Sequence, residues 1–169
     1  VNGATGIARG GDVRAWRWIA LLALPLPAQA ECGFTSNITP VVISAAAQVD
    51  DPQVPAPEIE AVTVARGTGG GAACDGLGFV SVKLKWPRGS DHELDQIGFE
   101  YRLVQGSLPE GVVPAGVVAA PVSGRRSEHL FTWQDQEPAR QQPIHALLEV
   151  RAVTGDGHRG TPVQLVLQQ

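Results

Sequence analysis

From Phe79 to Trp86, apolar and polar side chains trade places at nearly every step. Val80, Val82, Leu84 and Trp86 fall on one side and Ser81, Lys83 and Lys85 on the other. A period of two marks a half-buried β-strand, because successive side chains point to opposite faces of a sheet. The same period returns at Ile97, Phe99, Tyr101 and Leu103, set against Gly98, Glu100 and Arg102. It returns again at Ala146, Leu148, Val150 and Ala152, followed by Gly155-Asp156-Gly157 and a returning run at Val163, Leu165 and Leu167, which reads as a hairpin. No long stretch after residue 30 carries the 3.6-residue period of a helix, so the chain is constrained to an all-β fold.

Shorter signals fill in the rest. Ile59, Val62 and Val64 open a first strand, and a glycine-rich connection over 67–78 follows. Leu130 to Trp133 is a short aromatic strand, and residues 105–127 carry weak strand signal around Val112 and Val117. About seven short strands, each with one apolar face, need a second sheet to bury against. An antiparallel β-sandwich answers that need. Ahead of it, residues 31–56 read as an N-terminal extension and proline-rich linker. Ile38, Val41 and Ile43 could form one strand, which Pro40 would confine to a sheet edge. Asp50 to Pro57 (DDPQVPAP) should run extended. Asn37-Ile38-Thr39 has the form of a glycosylation sequon and is read as a turn.

The first thirty residues have the grammar of a cleavable secretory signal peptide. Arg9, Arg14 and Arg17 precede the apolar run Trp18 to Leu26, and Ala28-Gln29-Ala30 fits a signal peptidase site. The apolar run is shorter than the roughly 20 residues a membrane-spanning helix needs. The expected locations are therefore periplasmic or extracellular, with no stable membrane insertion after cleavage. Val13 opens an equally complete short signal. The domain proper is taken as residues 57–169.

Losing the signal removes three arginines and Asp12. Basic residues fall from 13 to 10 and acidic ones from 17 to 16, for a formal charge of −6. Lys83 and Lys85 are the chain's only lysines. Nucleic acid, which demands clustered cations, is excluded as a partner on these grounds. Cys32 and Cys74 form an isolated even pair. In an oxidising compartment one disulfide is the economical reading, with a metal pair or an intermolecular bond as alternatives. No histidine lies near either cysteine in sequence, and C-x-x-C spacing is absent. Such a bond would restrict the unfolded chain by roughly 4 kcal/mol on the loop-entropy account.

Three segments together resemble a fibronectin type III domain, over residues 55–169. Val82-Lys83-Leu84-Lys85-Trp86-Pro87 is similar to that family's second strand, and Ile97 to Leu103 to its third, with Phe99 in the place of the usual tyrosine. Glu149 to Val153, then Gly155-Asp156-Gly157 and Gly160-Thr161-Pro162, resembles its sixth strand, loop and final strand. Ala146 stands where the family has its corner tyrosine. The resemblance implies an immunoglobulin-like sandwich of the kind used as a spacer or binding module, and leaves function to be argued from the surface.

Catalytic motifs are absent from the sequence. His92, His129, His145 and His158 are scattered, without H-E-x-x-H or an i,i+2 pair. No serine has a G-x-S-x-G setting, and the 67–71 glycines lack the Lys-Ser/Thr of a phosphate loop. No catalytic residue, metal site or cofactor is expected. A weak cation site from Asp91, Asp95, Asp156 and the loop histidines is outweighed by ordinary solvated loops. Trp86 is expected in the core, and Trp133 in the core or partly exposed. In a sandwich the loops holding Asp91 and His92 and those holding Asp156, His158 and Arg159 fall at one end. That end is the expected contact surface for a protein or carbohydrate partner. The leading expectation is thus an exported, non-enzymatic binding or accessory module. The alternative is a structural subunit of a cell-surface or periplasmic assembly, built by exchange of the Ile38–Ile43 strand. Last comes an exported hydrolase centred on His92 or Asp95.

Overall fold

The computed structural model describes residues 32–43 and 49–169, so the expected signal peptide lies outside the described residues. Among the described residues eleven strands run in chain order: β1 Thr39–Pro40, β2 Val49–Asp50, β3 Glu58–Ala65, β4 Leu77–Lys85, β5 Ile97–Ser107, β6 Val117–Ala119, β7 Val122–Ser123, β8 Arg126–Gln134, β9 His145–Thr154, β10 His158–Arg159 and β11 Val163–Gln168. The helical elements among the described residues are two single 3₁₀ turns, and no helix there is long and apolar enough to cross a membrane.

The strands form two sheets. One has the order β3-β4-β8-β7. The other runs β1-β6-β5-β9, with β11 and β10 both beside β9 and β2 beside β10. All pairings are antiparallel except the short parallel contact of β2 with β10. The inward faces meet in one apolar core: Val80, Val82, Leu84, Phe131 and Trp133 from the first sheet, with Phe99, Tyr101, Leu148, Val150 and Leu167 from the second. This is the all-β, sandwich-like architecture expected from the alternation. Trp86 is buried at the end of β4, as expected, and its Nε1 donates to His92 O at 2.8 Å.

Several elements differ from the sequence reading. β8 begins at Arg126, not Leu130, because its inward positions are Ser127 and His129 before they become Phe131 and Trp133. Leu103, placed on the buried face, is 41% exposed where β5 shifts register against β9 between Leu103 and Gln105. The linker also carries a core residue. Val54 is fully buried, its carbonyl accepting from Thr161 N at 3.1 Å. Gly160 makes this seat possible: a Cβ there would lie 2.7 Å from Val54 O and 2.8 Å from its Cγ1.

Within the extension, residues 32–43 pack against the sheets. Cys32 and Cys74 are joined in a disulfide, Cα atoms 5.1 Å apart, which belongs to a non-reducing environment. β1 lies at the sheet edge against β6, where proline's missing N–H does no harm. Asn37 is not in a turn. Its side-chain amide bonds to Glu128 O and Leu130 N on β8.

Candidate functional site

Two connections meet at Trp86, and a third lies within reach of His92. The β4–β5 loop, residues 86–96, is held by the Trp86 indole and by a 3₁₀ turn, Leu94–Gln96, whose Leu94 reaches the core. The β7–β8 hairpin turns on Gly124 and Arg125. Gly124 takes φ +60°, the left-handed conformation that a two-residue hairpin asks for. Arg125 ties this hairpin to the loop: Trp86 N donates to Arg125 O at 2.7 Å, and Arg125 Nη1 donates to Trp86 O at 2.6 Å. Between the two lies a cleft of about 740 Å³, with Arg88, Ser90, His92, Glu93, Asp95 and Arg125 among its polar lining and Val122 on its apolar side.

The β9–β10 turn completes this end. Thr154 Oγ1 donates to the Asp156 carboxylate and receives the His158 N–H at 3.0 Å. The Thr154 bond holds the Asp156 carboxyl below its usual range, helped by His158 and His92. His158 stands between two carboxylates, with Nδ1 3.1 Å from Asp51 and Nε2 3.6 Å from Asp156.

The structure sets His92 and His158 close enough for both to act on the Asp156 carboxyl, and leaves Asp91 exposed on the same loop as His92. Arg159 goes elsewhere. Its guanidinium reaches Glu100 at 3.0 Å, within a ladder of charges across β5 and β9 that also pairs Arg102 with Glu149 and Arg151 with Glu149 and Asp50. The sequence reading missed Arg88, which lies in the same polar loop as Asp91 and His92 with no motif to single it out. It also missed Arg125 and Val122, because the β7–β8 hairpin sits in a stretch too short and irregular to show strand periodicity. Ser123-Gly124 before two arginines was the one local signal for it.

No group of three or more His, Cys, Asp or Glu side chains among the described residues is placed to hold a metal ion. The lining presents both charge signs beside an apolar wall, an arrangement suited to contact and orientation of a polar partner. No family model, curated protein or solved structure matches the chain.

Proposed function

We propose that the chain is an exported, non-enzymatic binding or accessory module of the fibronectin type III kind, acting through the loop end around Trp86. The fold part of this reading is supported by strand order. Taking β3, β4, β5, β7, β8, β9 and β11 as strands A, B, C, D, E, F and G, the sheets run A-B-E-D and C-F-G, the immunoglobulin-like arrangement. The disulfide supports export to a periplasm or the cell exterior.

The observation that carries the functional part is one cleft walled by two loops that are tied together at Trp86, while the outer β5–β9 face is occupied by internal ion pairs. Loops held by a rigid sandwich recognise partners without moving the scaffold. The partner is a protein or a carbohydrate. Its test is a screen of the immobilised chain against a glycan panel and against surface and secreted proteins of the producing cell. Binding should fall at least tenfold in an Arg88→Ala/Arg125→Ala double variant and in His92→Ala. A partner bound equally well by all three chains sinks the assignment of this end.

A further inference from the structure

Residues 34–41 close the open edges of both sheets on one side of the molecule. On the first sheet, β7 pairs with only the start of β8, leaving the rest of that edge free. Asn37 and Ser36 fill it largely with side chains. Asn37 N donates to Leu130 O at 3.3 Å, its Nδ2 donates to Glu128 O at 2.8 Å, and its Oδ1 accepts from Leu130 N at 2.8 Å. Thr132 N donates to Ser36 Oγ at 2.9 Å. Ile38 packs against the core. On the second sheet Thr39 and Pro40 pair with Ala119 and Val118, and Val41 N donates to Val117 O at 2.8 Å. Phe34 lies edge-on to Phe79, ring centres 5.2 Å apart, and the Cys32–Cys74 bond closes the clip upstream.

We propose that this clip is a redox-latched exchange strand: cleaving Cys32–Cys74 releases it, and the vacated β8 and β6 edges then take the same segment from a second copy of the chain. The occupant is specified by the fit. A generic strand would offer main-chain groups alone, whereas this edge is met by one asparagine amide and one serine hydroxyl at set positions. The segment that carries both belongs to this chain. Reciprocal exchange between two copies closes all four edges with two-fold symmetry, so growth stops at a dimer. The chemical step is thiol–disulfide exchange with a dithiol reductant. The reductant's two thiols supply two electrons and two protons, the Cys32 and Cys74 sulfurs leave as thiols, and the reductant becomes a cyclic disulfide. This rests on the strand-exchange reading and is independent of the loop-end one.

The test compares the full exported chain oxidised, reduced with dithiothreitol, and as Cys32→Ser/Cys74→Ser, mixing isotopically light and heavy protein at concentrations raised toward the ~1 mM regime of a short tether. Native mass spectrometry should find only monomer when oxidised and mixed light–heavy dimers when the bond is absent. Hydrogen exchange at Leu130 and Thr132 should speed up at least tenfold in dilute reduced protein and slow again in the dimer. Asn37→Ala should prevent the dimer while β9 amides stay protected. The proposal is overturned if the latch-free chain stays monomeric with Leu130 and Thr132 still protected, or if β9 protection is lost on reduction. Dimers that survive Asn37→Ala also overturn it. Loss of loop-end binding in the Arg88/Arg125 variant would leave this result untouched.

Discussion

His129 sits in the middle of the core, 0% exposed, against Phe99, Tyr101 and Phe131, with neither ring nitrogen hydrogen-bonded to the protein. Burial pushes its pKa down to about 4, so the folded chain keeps it neutral. The unfolded chain binds that proton near pH 6.5. His129 therefore carries no protonation-linked cost above pH 6.5 and removes stability as pH falls from 6.5 to 4, by about 3 kcal/mol in all. His129→Leu should flatten that part of the pH profile, measured as urea midpoints between pH 7 and pH 4; an unchanged slope would mean another group titrates there. Asp135 works at lower pH. Arg66 donates to it from Nε at 2.7 Å and Nη2 at 2.9 Å, and this fork, despite the burial of the carboxylate, takes its pKa to about 2. That stabilisation is intact above pH 3.8 and disappears as pH falls toward 2. Asp135→Asn should destabilise the fold by about 3 kcal/mol at pH 7, since it leaves a largely buried guanidinium without its partner. Equal urea midpoints for the two chains would refute this.

At the scale of elements, legibility followed the clarity of the period. β4, β9 and β11 alternate cleanly and were read to within a residue or two. β8 was half missed because Ser127 and His129 take inward positions and erase the apolar signal where the strand begins. Two-residue strands such as β2 and β10 have no period to read and exist only because tertiary contacts set them side by side. Val54 was hidden by its prolines: a linker composition surrounds one residue that the core requires. Val54→Ala should therefore cost about 2 kcal/mol in urea unfolding, and Gly160→Ala, which drives a methyl into the Val54 carbonyl, should cost at least as much. A linker role for Val54 would leave both midpoints unchanged. Of the candidate site, His92, Asp156 and His158 were legible from the order of strands and loops. The direction of Arg159 was not, because it depends on which face of the sheet Arg159 takes in β10, from which it reaches across β9 to Glu100 on β5.

The described residues form a sandwich with residues 34–41 laid along one side, a disulfide joining Cys32 to Cys74, and a cleft between two loops at one end. Its outer β5–β9 face is a closed set of ion pairs, Glu149 being held below its usual range by Arg151 and Arg102 against the opposing effect of burial. Charges already satisfied among themselves are poor anchors for a partner, and surface pairs of this kind contribute little to stability. The loop end differs in presenting polar groups around a cleft. At this scale two cysteines should become alkylatable only after reduction, read by intact mass; thiols that react without a reductant would contradict the latch. The claim that the loop end is the contact surface is tested most directly by site-specific photo-crosslinking in the producing cell. The crosslinker replaces Glu93, Asp95 or Val122 around the loop-end cleft, and Glu110, Gln136 or Gln142 on a second cleft away from it. The account predicts one shared crosslinked partner from the first three positions and none from the second three. Crosslinks arising from the second set, or equally from both, would contradict it.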